Sequence, residues 1–120
     1  GDVKQQTLEA FLSHVKEDLG CQGLRYVSGG KPVSKVAVGG GSCADGMHEA
    51  LAAGCDTFVT AGVKYNLYLE AKQLGINLMD AGHYATENVV CAPMVNYLKE
   101  KFPEVTVLLS EKHREAYSGV

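Results

Sequence analysis

The chain has 120 residues, 46% of them hydrophobic and 21% charged, which fits one α/β-sized domain with a real core and excludes a disordered segment. Eleven basic residues against 14 acidic ones leave a formal charge of −3, so a general electrostatic grip on nucleic acid or anionic membrane is excluded as a working idea. No apolar run approaches the roughly 18–20 residues of a membrane span, and no charged-then-apolar leader opens the chain.

The first periodic stretch is Leu8, Phe11, Leu12, Val15 and Leu19, one face of a helix capped by Thr7 and ended by Gly20. Leu24–Val27 reads as a short strand, and Lys35–Val38 as a buried strand running into Gly39-Gly40-Gly41-Ser42. Ser42 followed by Asp45 resembles a helix start, with the helix stopping at Ala53-Gly54. Phe58–Thr60 is the next strand, a helix bearing Leu67, Ala71 and Leu74 ends at Gly75, and Ile76–Asp80 is again a strand. A helical pattern then runs from about Thr86 to Phe102, with Pro93 inside it. Proline should divide that helix into a short turn near Thr86 and a longer piece beginning around Pro93. Val105–Leu109 reads as a last strand. Strand and helix alternate from Lys35 onward, so the expected fold is α/β, a mostly parallel sheet with helices on both faces, as a single unit over residues 1–120.

Cys21, Cys43, Cys55 and Cys91 form no C-x-x-C pair. Two disulfides are compatible with the count, but reduced, mostly core-filling thiols are the preferred reading, and with them a cytoplasmic location. The chain opens on Gly1 rather than Met, as an excised segment would, although a leftover residue would look the same.

In open α/β sheets ligands gather at the carboxyl ends of the strands. There, the amides of Gly40, Gly41 and Ser42 are placed to cradle a phosphate, or simply to form a tight turn. Asp80-Ala81-Gly82-His83-Tyr84-Ala85-Thr86-Glu87 is the more informative segment. On one helical turn His83 and Glu87 share a face, offering one nitrogen and one oxygen to zinc, iron or manganese. Asp80 is placed to orient the histidine by a hydrogen bond. The alternative is an ordinary helix start, with Thr86 as a cap and Glu87 favoured by the helix dipole. Two ligands also fall short of the three or four a stable site needs. His14, His48 and His113 read as surface groups, and no serine or cysteine sits in a nucleophile signature.

Three blocks carry a resemblance: Val33–Val38 with its glycine loop, Gly54–Tyr65, and Leu74–Glu87 with its G-H-Y-A-T-E string. Their order and content are similar to the carboxy-terminal half of the Ngg-interacting-factor-three-like family, also called GTP cyclohydrolase I type 2 homologues. The resemblance runs from Gly1 to about Ser110. It implies one of the two α/β halves of the family fold, a piece of a longer chain, with a dinuclear metal site between the halves and toroidal hexamers as the assembly. His83 and Glu87 match the family's G-H-x-x-T-E ligands. Its adjacent histidine pair and further acids belong to the other half, and no His-His pair occurs here. The family commonly has an acid and a histidine where this chain has Gly62 and Asn66. Two functions follow as expectations: a hydrolase with two divalent ions per complete site, acting on a nucleotide-like substrate, or a non-catalytic metal-binding or protein-interaction module.

Overall fold

The three central strands are short and apolar on both faces, as strands covered from both sides must be. In the computed structural model, which describes residues 1–119, β3 (Val33–Val38), β4 (Thr57–Thr60) and β5 (Asn77–Asp80) pair in parallel. Every residue of β4 and β5 is buried. Two antiparallel strands close the edges, giving the order β1-β3-β4-β5-β2. β1 (Asp2–Gln6) lies against β3, and β2 (Arg25–Val27) pairs Arg25 with Asp80 and Val27 with Leu78.

Helices cover both faces. α2 (Met47–Ala52) joins β3 to β4, and α3 (Tyr65–Leu74) joins β4 to β5. Both pack on one face, where Met47, Phe58, Leu67, Ile76 and Leu78 form a core. The connections step along the sheet in one direction, so crossovers of one hand put both helices on the same side. α1 (Leu8–Leu19) and α4 (His83–Asn88) cover the other face, with Phe11, Val15, Val36, Val59, Met79 and Ala85 buried between them. Thr7 Oγ1 accepts from Ala10 N at 3.2 Å, and Gly20 ends α1 in the left-handed conformation (φ 62°).

The structure departs from the sequence pattern in four places. β1 carries no strand signal of its own, because Val3 is its only apolar residue and its strand character comes from pairing with β3. Val105–Leu109 forms no strand. No strand of the sheet pairs with this segment, and Val105, Leu108 and Leu109 are more than half exposed. A 3-10 turn at Ala44–Gly46 precedes α2, so no helix begins at Ser42. The last helical region does divide, but at Val89–Val90, giving α4 and α5 (Cys91–Lys101). Pro93 falls in the first turn of α5, where its missing N–H removes no helical bond. No residue of α5 is buried.

Cys21 and Cys55 fill the core as expected, whereas Cys43 is exposed and Cys91 half-buried. No helix among the described residues is long and apolar enough to cross a membrane.

Candidate functional site

The carboxyl ends of β3, β4 and β5 bring together the glycine loop and the first turn of α4. Gly82 (φ 86°) turns the chain out of β5, and α4 begins at once. Helical spacing then aligns His83 with Glu87: Nε2 lies 3.0 Å from Oε1, and both side chains are more than half exposed. On the other side of the ring, Nδ1 lies 3.4 Å from Ser42 Oγ. One tautomer satisfies both contacts, with the Ser42 hydroxyl donating to Nδ1 and Nε2–H donating to Glu87.

The glycine loop reaches this pair because it lacks side chains. A Cβ on Gly41 would collide with Glu87 Oε1 and stand 3.4 Å from His83 Cε1, while one on Gly40 would stand 2.9 Å from the Thr86 carbonyl oxygen. Gly41 N donates to Thr86 Oγ1 at 2.9 Å, fastening the loop to α4. Thr86 therefore ties two loops and does not cap a helix: its hydroxyl also lies 2.9 Å from Gly82 O. Gly39 N donates to Val59 O and Cys43 N to Gly41 O. The amides of Gly40 and Ser42 make no hydrogen bond among the described residues, so two donors of the expected anion cradle stay free.

His83 and Glu87 are of the right type and spacing for a shared cation. Two atoms each about 2.1 Å from one ion lie no more than about 4.2 Å apart, and 3.0 Å meets that bound. They are only two ligands. Among the described residues, no group of three or more His, Cys, Asp or Glu side chains could hold an ion.

Asp80 does not orient His83, whose ring nitrogens face Ser42 and Glu87. Its carboxylate, almost fully buried, accepts from Arg25 Nη2 at 2.8 Å, Val63 N at 3.2 Å, Tyr68 Oη at 3.4 Å and Gly82 N at 3.2 Å. Burial, with the adjacent Asp80 charge, pushes the Tyr68 hydroxyl above its ordinary pKa. Arg25 could not be foreseen as this partner: it lies 55 residues away in sequence and arrives through the β2–β5 pairing. Gly62 (φ 68°) packs on Ser42, where a Cβ would stand 3.1 Å from Oγ.

The other histidines lie elsewhere. His14 pairs with Asp18 at 3.2 Å and His48 with Glu70 at 2.9 Å, so His48 does not reach the glycine loop. His113 packs against Tyr84 with the rings tilted at 42° and their centroids 5.0 Å apart. Behind them, between the carboxyl end of α1 and the last residues, is a cavity of about 530 Å³ lined by Cys21, Gly82, Tyr84, Arg114 and Tyr117. Neither His83 nor Glu87 lines it.

The chain is similar to known proteins. A GTP cyclohydrolase 1 type 2 homolog of Clostridium perfringens is 26% identical over 120 residues, covering 98% of this chain and 46% of that protein. Its Bacillus subtilis counterpart is 33% identical over 116 residues, covering 92% of this chain and 31% of that protein. The chain thus spans less than half the length of these relatives. Among solved structures, a Staphylococcus aureus hypothetical protein superposes with a TM-score of 0.88 at 27% identity, over 99% of this chain and 41% of that one. A Bacillus cereus protein related to NIF3 gives 0.80 at 31% identity, over 100% and 35%. The sequence profile of Duf34/NIF3 (NGG1p interacting factor 3) matches residues 1–116, and the chain belongs to that family.

Proposed function

We propose that His83 and Glu87 are two ligands of a divalent-metal site, and that the complete site serves a hydrolase acting on a nucleotide-like substrate. The observation carrying this reading is the 3.0 Å contact between His83 Nε2 and Glu87 Oε1 at the carboxyl end of the sheet. The remaining ligands come from outside this chain, with zinc, iron or manganese as the metal and two ions per complete site. His83 and Glu87 would hold a divalent ion, which would supply an activated water and a clamp on substrate oxygens. Ser42 keeps the imidazole in one orientation, and the free amides of Gly40 and Ser42 receive a substrate phosphate. The name of the relatives, GTP cyclohydrolase 1 type 2 homolog, supports the nucleotide class. Self-association, as a hexamer for the complete protein, and a cytoplasmic location belong to the same reading.

The test is a zinc titration of protein carrying both halves, followed by the imidazole NMR signals of His83, His14 and His48. The His83 signals should respond at lower zinc than those of the two-donor pairs His14–Asp18 and His48–Glu70, and Glu87→Ala should weaken the His83 response at least tenfold, no less than loss of an outer-shell partner costs. A response unchanged by Glu87→Ala rejects the site.

A second reading, a non-catalytic metal-binding or interaction module, is favoured by Gly62 in the β4–α3 loop and Asn66 in the first turn of α3, which supply neither an acid nor an imidazole there. Turnover of nucleotides by metal-loaded protein carrying both halves, abolished by Glu87→Ala, would exclude it.

A further inference from the structure

We infer that Asp80 is a positioning residue for the His83–Glu87 pair, acting through the backbone of Gly82 and not through the imidazole. This rests on the metal reading above for its consequence, though not for its geometry. An ionised carboxylate has about four acceptor sites, and Asp80 uses them on four donors from three separate places. Arg25 comes from the edge strand β2, Val63 and Tyr68 from the β4–α3 connection and α3, and Gly82 from the turn into α4. One buried group thus fixes the loops at the carboxyl end of the sheet relative to one another.

α4 depends on such anchoring. It has six residues and no side-chain cap on its first turn, and a helix that short has little stability of its own. Its placement comes from Ala85 in the core, from the Thr86–Gly41 bond, and from the Asp80–Gly82 bond at its origin. The last acts on the N–H of the residue immediately before His83, whose carbonyl accepts from the Thr86 hydroxyl at 2.9 Å. Gly82 also accepts from Thr86 N at 3.2 Å, the first bond of the helix. Freeing Gly82 therefore loosens the turn that holds His83 and Glu87 on one face.

The substitution Asp80→Asn isolates this role. An amide offers one oxygen and one NH₂ group. With its oxygen turned toward Arg25, Val63 and Tyr68, the NH₂ faces the Gly82 N–H, donor against donor. The Arg25 side chain is 74% exposed, so the charge left behind remains in water. Arg25→Met makes the converse change, removing the ion pair while leaving Asp80 its backbone donors.

The experiment compares wild type, Asp80→Asn and Arg25→Met by amide hydrogen exchange without metal and by the zinc titration above. In Asp80→Asn, exchange at Thr86 should rise about tenfold, as expected for one lost charge-assisted bond, with Phe11 in the first turn of α1 unchanged. Zinc affinity at His83 should fall by a similar factor. Arg25→Met should leave both near wild type at a comparable loss of thermal stability. Wild-type behaviour in Asp80→Asn overturns the inference, as does an equal effect of Arg25→Met, which would reduce Asp80 to a stability role. If Asp80→Asn does not fold, Asp80→Glu takes its place: it keeps the charge and the Arg25 pair but displaces the oxygen from Gly82. Absence of any zinc response at His83 in wild type sinks the metal reading alone, and Thr86 exchange then judges Asp80.

Discussion

The two ends of the parallel strands use the same device to different effect. At the amino end, Asp56 accepts from Ser34 N and Oγ, Lys35 N and Thr57 Oγ1, at 2.7 to 3.2 Å. Beside it the Asn77 side chain joins Gly29 N, Lys31 O and Thr57 Oγ1. These partners engage one another and leave no reactive group facing outward. At the carboxyl end, Asp80 is just as fully engaged, but His83, Glu87, Ser42 and the Gly40 amide lie outside its reach and in solvent. A closed hydrogen-bond network holds the fold together. An open one, built on a closed anchor, leaves groups for a ligand.

The largest expected effect tests whether the amino end is structural. Burial pushes the Asp56 carboxyl up, but its hydrogen bonds from Ser34, Lys35 and Thr57 outweigh this and hold its pKa below the ordinary value. Asp56→Ala leaves several of those donors without an acceptor and should cost about 3 kcal/mol, read as a clear fall in the thermal midpoint. Because the folded-state pKa is depressed, this stabilisation is fully present above the unfolded value of about 3.9. It is lost as pH falls from there through the folded value. The stability gap between wild type and Asp56→Ala should therefore narrow on acidification below about pH 4. A constant gap would contradict the assigned role.

A pair of threonines on β4 sharpens the same contrast. Thr57 Oγ1, at the amino end, donates to Asp56 and accepts from Asn77. Thr60 Oγ1, at the carboxyl end, is buried and makes no hydrogen bond to any described residue. Thr57→Val leaves one N–H of the buried Asn77 amide without an acceptor, the other staying on Lys31 O, and should cost about 2 kcal/mol. Thr60→Val removes a hydroxyl that has nothing to lose and should stay within about 0.5 kcal/mol of wild type, on either side. Denaturant midpoints measure both, and equal losses would erase the distinction between the ends.

What could be read from the sequence was what depends on near neighbours in the chain. The Thr7 cap and the Gly20 and Gly75 stops follow from local backbone chemistry, and both glycines adopt the left-handed conformation. The His83–Glu87 contact is likewise an i, i+4 pair. Partners brought by sheet pairing were not legible: β1 is a strand because β3 offers an edge, and Asp80 meets Arg25 because β2 lies antiparallel to β5. Val105–Leu109 shows the reverse failure, β-branched and apolar in sequence but paired with no strand of the sheet. The position of Asp80 was therefore legible as part of the site, while the atom it acts on was not.

The smallest perturbation, thiol labelling, probes the comparison in the unaltered sequence. Cys43 follows Ser42 at the carboxyl end and is exposed, whereas Cys55 precedes β4 at the amino end and is buried. Alkylation requires the thiolate and access to it, so Cys43 should label first and half-buried Cys91 more slowly. Cys55 should be protected until the amino end opens. Cys21 should also resist, because burial pushes its thiol up and leaves little thiolate even in a local opening. Pulse labelling read by peptide mass gives the order directly. Asp56→Ala should then speed Cys55 while leaving Cys43 unchanged, since only the former sits behind the Asp56 bonds. Fast labelling of Cys55 in wild type would mean that the amino end is not the closed network its hydrogen bonds describe.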